Sequence, residues 1–481
     1  MSAVVSSCDK LAQRRHRGST HGFDKRSGTG SCRCSSSAQG LLTQTSKLIP
    51  RLALAIKTED YKVQFDATKQ IRKLLSMKHP PIQEIIDANI VPRLVEFLKR
   101  KRSPEIMLEA AWALTNISSG QREHTKAVVQ SGAVPLLAEL LHHENEDVRQ
   151  QCVWAIGNIV GDSPEFRDFV LKFGVMDSLL KLSTGTAKTS ILRILAWTLS
   201  NLCRGKPQPD FEVIAPCLPA LTSMLFCDDE EILTDACWGL SYISDDKGVD
   251  NRKIRAVIRS GVCRRLVQLM GHSADQVKLP ALRTVGNIVT GDDSQTQFII
   301  DCGCLQSLFN LLCDKNCKKS IRKDAIWTVS NITAGTPKQI QAVVDSGIFP
   351  LLVSVLRRKS RSMEFDTRKE AAWAISNATS RGSSEQIRYL VSINSISPLC
   401  QLLPCPDPKV VLVAMEGIEN ILAVGAKNSQ DSRNAYASLV EECGGIELLE
   451  FVQDSSNPEI RSKCAAILTT YFHAFEVSDE S

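Results

Sequence analysis

The segment Ala110-Ala-Trp112-Ala-Leu-Thr-Asn116-Ile recurs, with variation, along most of this chain. It returns as Cys152-Val-Trp154-Ala-Ile-Gly-Asn158-Ile, Leu195-Ala-Trp197-Thr-Leu-Ser-Asn201-Leu, Ala236-Cys-Trp238-Gly-Leu-Ser-Tyr242-Ile and Ala281-Leu-Arg283-Thr-Val-Gly-Asn287-Ile. Ala325-Ile-Trp327-Thr-Val-Ser-Asn331-Ile, Ala371-Ala-Trp373-Ala-Ile-Ser-Asn377-Ala and Ala414-Met-Glu416-Gly-Ile-Glu-Asn420-Ile complete the series. Successive Asn-equivalent positions lie 42, 43, 41, 45, 44, 46 and 43 residues apart. Apolar residues fall at helical spacing in each copy, so Trp and Asn, four apart, lie one turn apart on the same helix face.

That period belongs to helical repeats of the armadillo and HEAT class. A second punctuation keeps the same step: Ser131-Gly132-Ala-Val-Pro135, Phe173-Gly174, Ser260-Gly261, Cys302-Gly303 and Ser346-Gly347-Ile-Phe-Pro350. Glycine ends one helix in a left-handed conformation, and proline is tolerated in the first turn of the next. Each unit therefore reads as a short helix, a Gly corner, a second helix, a polar turn and a third helix carrying Trp and Asn. A short first helix before a longer pair is the armadillo pattern. One period before Asn116 lies Asp66–Leu75, and one period after Asn420 lies Glu459–Leu468, both without Trp and Asn, as end repeats of a stack require. The predicted fold is all-α, a right-handed α-solenoid of about ten armadillo repeats over residues 47–475. It is preceded by a disordered basic Ser/Gly-rich tail, 1–46, and followed by a short acidic tail, 476–481.

Composition removes several function classes. At 43% hydrophobic the chain is too apolar for disorder, yet no run approaches the roughly 20 apolar residues that span a bilayer, so no membrane insertion is expected. Residues 1–40 hold seven Lys/Arg and two acids, leaving 51 basic and 51 acidic residues in the rest, so no global field favours nucleic acid. The Arg- and Ser-rich start also fits a transit peptide, but Asp9, Asp24 and several glycines interrupt any amphipathic helix there. The 17 cysteines lack the apolar leader of a secreted chain, and most sit in helical apolar stretches as small buried hydrophobes of a reducing compartment. No phosphate loop or His-Glu-x-x-His occurs, and Cys32-Arg-Cys34 and Cys302-Gly-Cys304 are too closely spaced for a four-ligand zinc site. No catalytic residue, metal or cofactor is expected.

Two readings of the Trp and Asn series compete. In the first, Trp is core and Asn is a ladder that satisfies the ends of adjacent helices. In the second, each Asn offers a donor and an acceptor to an extended peptide backbone, while neighbouring indoles form slots for the aliphatic stems of Lys or Arg. A stacked core has no need of a carboxamide in nearly every unit, which favours the second. Trp and Asn occur together at 112/116, 154/158 and 197/201, fail at Tyr242 and Arg283, and return at 327/331 and 373/377. The pattern predicts a three-unit site, 112–204, and a two-unit site, 283–377, with the cationic Arg283 discouraging a further Lys between them. At about 8–10 Å per stacked helix the two lie about 25–30 Å apart, a span of roughly eight or nine extended residues. Asp162, Asp235, Asp324 and Glu370 sit where they could pair with a peptide cation, or stand as ordinary solvated acids.

These strings resemble the importin-α (karyopherin-α) family of nuclear import adaptors. The likeness covers about residues 47–475 and includes Trp154-Ala-Ile-Gly-Asn-Ile-Val-Gly-Asp162, Leu-Ser-Asn201-Leu-Cys-Arg-Gly-Lys and Lys369-Glu-Ala-Ala-Trp-Ala-Ile-Ser-Asn377. The resemblance implies a major cargo site of Trp112, Asn116, Gln151, Trp154, Asn158, Asp162, Trp197 and Asn201, with Gly120 and Thr125 at its rim. It implies a minor site of Arg283, Asp324, Trp327, Asn331, Glu370, Trp373 and Asn377. The implied partners are proteins bearing monopartite or bipartite basic nuclear localisation signals, importin-β, and the family's recycling exportin near the last repeat, with shuttling between cytoplasm and nucleus. In the family a dense Arg/Lys segment at the amino end recruits importin-β and occupies the groove when free. Here Arg14-Arg15-His16-Arg17 and Lys25-Arg26 are a degenerate version of it. The alternative function is an armadillo scaffold, or a dominant inhibitor, that binds basic peptides without recruiting importin-β.

Overall fold

A helix that is apolar around most of its circumference must be covered on most sides, and the Trp-bearing segments are such helices. The computed structural model describes residues 38–472 except 101, 185–187, 247, 249, 359–364 and 429–433, with side chains from residue 47 onward apart from 428. The long helices recur at the sequence period: α1 (Tyr61–Leu75), α2 (Pro104–Ser118), α3 (Glu146–Val160), α4 (Thr189–Cys203), α5 (Glu230–Ser244), α6 (Asp275–Ile288), α7 (Lys319–Thr333), α8 (Phe365–Arg381), α9 (Pro408–Asn428) and α10 (Pro458–Tyr471). No strand occurs among the described residues.

The chain divides at Ile243/Ser244 into two units. In the amino-terminal unit α1 packs on α2, α2 on α3 and α3 on α4. In the carboxy-terminal unit α6 packs on α7, α7 on α8, α8 on α9 and α9 on α10. Every residue of α4 from Ile194 to Cys203 is buried, the expected state of a helix with neighbours on most sides.

Local chemistry sets the ends of these helices. The Asn145 carboxamide oxygen accepts from the Asp147 and Val148 amides at the start of α3, and Asp60 and Asn457 cap α1 and α10 in the same way. The predicted corners are present: Gly132 has φ 78°, and the same left-handed turn recurs at Gly174, Gly261, Gly303 and Gly347. At Gly347 it bends the chain by 80° between helices Pro337–Asp345 and Ile348–Arg357. Asn89 and Asn394, with φ 54° and 61°, make the corresponding corner in repeats that lack the glycine.

Two expectations are corrected. The first two helices of a repeat are nearly equal, 9 residues in Arg122–Gln130 and 8 in Ala133–Leu140, and only the third is long, because the Gly corner cuts the chain early. Helix Ala38–Ala55 begins inside the stretch assigned to the tail, so the boundary at 46 is too late. The remainder of that tail, 1–37, and the acidic tail 476–481 lie outside the described residues. Among the described cysteines none is disulfide-bonded, and Cys152, Cys203, Cys217, Cys237, Cys263, Cys304, Cys400 and Cys464 are buried. Burial pushes the Cys263 thiol up to about 12.

Successive long helices approach closely at two glycines. A Cβ on Gly157 of α3 would lie 2.3 Å from Trp197 Cζ3 and 2.6 Å from Thr198 Oγ1 on α4. One on Gly286 of α6 would lie 2.4 Å from Trp327 Cζ3 on α7. Trp197 and Trp327 are the fully buried indoles, whereas Trp112, Trp154, Trp238 and Trp373 are half-buried. Gly157→Ala is expected to lower stability by about 1–3 kcal/mol, the usual result of overpacking. A thermal melt followed by circular dichroism checks this, and an unchanged Tm would show that the Trp197 indole moves aside freely.

Candidate functional site

The repeated Asn residues are buried, with Asn116, Asn158, Asn201, Asn331 and Asn377 each exposed by 2% or less. The amides of Asn116, Asn158, Asn201, Asn287 and Asn377 reach back one repeat. Asn158 Nδ2 donates to the Thr115 carbonyl at 3.0 Å, Asn201 Nδ2 to the Gly157 carbonyl at 3.3 Å, and Asn377 Nδ2 to the Ser330 carbonyl at 2.8 Å. The acceptor is the residue just before the preceding Asn in all three. Asn116 Nδ2 reaches the Ser76 hydroxyl at 3.0 Å and Asn287 Nδ2 the Ser244 hydroxyl at 3.2 Å. A carboxamide has two N–H donors and an acceptor oxygen, so one donor of each of these five amides ties its helix to the repeat before. The ladder reading is therefore correct for that donor.

Trp112, Trp154 and Trp197 follow one another on α2, α3 and α4, and Trp238 on α5 continues the series. Tyr242, which replaces Asn on α5, stacks its ring on Trp238 with centroids 5.8 Å apart and planes 20° apart. In the carboxy-terminal unit Trp327 on α7 is followed by Trp373 on α8. Gly120 stands just past the end of α2, and a Cβ there would lie 2.3 Å from His124 Nδ1. Thr125 is fully buried, and its hydroxyl donates to the Ser118 carbonyl at 3.1 Å, which ties the end of α2 to the next helix rather than leaving the side chain at an open rim.

The acidic candidates are not solvated. Asp162, Asp235, Asp324 and Glu370 are exposed by 8%, 7%, 2% and 5%. Asp324, three residues before Trp327, accepts from Arg283 Nε at 3.0 Å, and the Arg283 guanidinium lies over the Trp327 ring at 5.7 Å from its centroid. The same arrangement occurs at a second pair, Arg72 and Glu109, that the Trp and Asn pattern does not mark. Arg72 on α1 donates from Nε to Glu109 Oε2 at 2.7 Å and from Nη2 to Glu109 Oε1 at 3.2 Å, and its guanidinium lies over the Trp112 ring at 4.5 Å. Glu109 shares with Asp235, Asp324 and Glu370 the offset of three residues before the Trp position, and that offset was the signal that could have found it. Gln151 has the same offset from Trp154, and its Oε1 is buried without a hydrogen-bond partner.

Glu416 of α9 occupies the Trp position of its repeat and is exposed by 4%. Burial pushes its carboxyl up from the ordinary 4.5 to about 7, with Glu419 adding to the effect and Lys463 opposing it. The folded state thus holds a proton that the unfolded chain releases above its ordinary value. The associated stability is complete below that value and is lost as pH rises through about 7. Glu416→Gln should match the parent Tm near pH 4.5 and exceed it increasingly toward pH 8, where a pH series of thermal melts reads the difference.

Residues 78–119, 121–161, 163–204, 206–245, 250–290, 292–334 and 336–380 each match the armadillo/beta-catenin-like repeat, and residues 434–481 match an atypical Arm repeat. The chain is 51% identical over 435 residues to importin subunit alpha-1b of Oryza sativa subsp. japonica, covering 90% of this chain and 80% of that protein. It is 52% identical over 429 residues to importin subunit alpha-4 of Arabidopsis thaliana, covering 88% and 78%. Importin subunit alpha-B of Dictyostelium discoideum is 47% identical over 435 residues, covering 90% and 83%. Among solved structures, the crystal structure of an engineered protein superposes with a TM-score of 0.78 at 27% identity, covering 88% of this chain and 98% of that one. Repeat architecture, ladder and relatives agree: the chain belongs to the importin-α family of non-enzymatic, armadillo-repeat nuclear import adaptors.

Proposed function

We propose that the indole series of each unit binds extended basic segments of cargo proteins, the nuclear localisation signals, and that the chain carries them as an adaptor for importin-β. The observation that carries this reading is internal to the protein. Twice, at Trp112 and at Trp327, an indole face together with an acid three residues earlier holds a guanidinium. A cation over an aromatic face gains about 0.5–2 kcal/mol, and an Arg paired to a carboxylate gains further.

At Trp154, Trp197 and Trp373 the preceding repeat contributes another tryptophan in place of an arginine. The slot between two indoles has the same chemistry, and we assign it to Lys or Arg side chains of the bound segment. Gln151 Oε1, buried and without a partner beside the Trp154 slot, supplies an acceptor for such a cation. Glu370 supplies a carboxylate at the same offset from Trp373. The Asn amides, already tied to the stack by one donor, stand one turn from the indoles and suit an extended backbone. Shuttling between cytoplasm and nucleus follows from this role, and bipartite signals would use the sites of both units.

Residues 1–40 carry seven Lys/Arg in scattered positions among Ser and Gly, which favours weak recruitment of importin-β as the second reading. In that reading the chain holds basic cargo without passing it to the carrier.

A titration of labelled basic peptide into the purified chain, with and without importin-β and at two salt concentrations, tests both. Trp154→Ala with Asn158→Ala should lower peptide affinity by about 10- to 100-fold while helicity is kept. Unchanged affinity would overturn the groove assignment. Peptide affinity that does not respond to importin-β, with no complex between the two proteins, would favour the second reading over the adaptor.

A further inference from the structure

We infer that Arg72 is a built-in plug that closes the first indole of the amino-terminal series, so that the peptide register begins at the slot between Trp112 and Trp154. The inference rests on the basic-peptide reading and sharpens it by naming a residue that sets where the peptide ends.

The geometry separates Arg72 from an ordinary surface cation. Its guanidinium makes two hydrogen bonds to the two oxygens of one carboxylate, at 2.7 and 3.2 Å, which fixes the plane of the group. The side chains of Arg72 and Glu109 are exposed by only 15% and 12%, so solvent competes weakly for the pair. The same group lies 4.5 Å from the Trp112 centroid and covers the ring face that α1 looks onto. A peptide cation reaching that face would meet a guanidinium already seated there and a carboxylate already paired.

The carboxy-terminal unit repeats the device. Arg283 pairs with Asp324 and covers Trp327, the first indole of the second series. In both units the long helix that precedes the first Trp of a series supplies an arginine, and the acid that holds it lies three residues before that Trp. The two arginines come from different sequence positions, since Arg283 occupies the Trp position of its repeat whereas Arg72 lies in α1, which has no Trp.

Removing the plug exposes both halves of a cation site, the Trp112 face and the Glu109 carboxylate. The test compares two labelled probes, a five-lysine core flanked by Ser-Gly and the same core carrying two more lysines at each end. Their affinity ratio is measured in the parent chain, in Arg72→Ala and in Lys73→Ala, which removes an equal charge from an exposed neighbouring position. The ratio in favour of the extended probe should rise by about 3- to 30-fold in Arg72→Ala and stay at the parent value in Lys73→Ala. An equal ratio in all three proteins, with the core still bound, would overturn the plug while leaving the groove reading intact. Loss of core affinity in a folded Arg72→Ala would also overturn it, since Arg72 would then be a peptide contact. A parent chain that binds neither probe would overturn the groove reading and the plug together. Should Arg72→Ala lose helicity, Arg72→Gln keeps a donor for Glu109 without the charge and serves the same comparison.

Discussion

Within each unit, long helices are held against their predecessors by contacts that only a fixed offset can make. The carboxamide of one repeat reaches a backbone carbonyl of the repeat before, as Asn158 does to Thr115, Asn201 to Gly157 and Asn377 to Ser330. A helical carbonyl is already engaged in its own helix, so the extra donor uses its second lone pair, and the geometry admits little slip. The indoles obey the same offset: Trp197 and Trp327 sit where Gly157 and Gly286 leave no Cβ. Register between repeats is thereby set on one face, and the apolar faces fill the space behind it.

In the proposed function the same face also carries the recognition chemistry, so stacking and binding fall to the same residues. An indole half-buried by packing still presents a flat surface, and a carboxylate or amide three residues earlier is brought beside it by the turn of the helix. The protein uses that combination on itself at Arg72 and Arg283. Its interior examples therefore support the proposed basic ligand better than composition could, because the body of the chain has no net charge.

Much of this was legible beforehand. The period, the Gly corners at 132, 174, 261, 303 and 347, and the long third helix all follow from local patterning, since helix propensity and left-handed glycine are properties of a few adjacent residues. The corners at Asn89 and Asn394 were missed because Asn is only an occasional substitute for Gly in that conformation. The interval 381–433 lies between the stretches that match the family repeats, yet it forms the same three helices, Ser384–Ser392, Ile396–Cys400 and Pro408–Asn428. Glu416 replaces Trp there, but Asn420 Nδ2 still donates to the Thr379 and Ser380 hydroxyls of the repeat before, and burial against neighbours does the rest.

What the sequence determined by itself was the repeating unit, its helical class, the membership of the chain in its family and the column of Trp and Asn on one face. These depend on spacing along the chain, which the sequence states directly. The tertiary structure alone decided which groups those columns meet: that an amide donor of Asn116, Asn158, Asn201, Asn287 and Asn377 ties to the repeat before, that the acids are buried, and that Arg72 closes on Glu109 and Trp112. Those partners lie about forty residues apart in the chain and come together only when one helix stacks on the next. Their pairing depends on the register of that stack, a quantity that no local pattern contains.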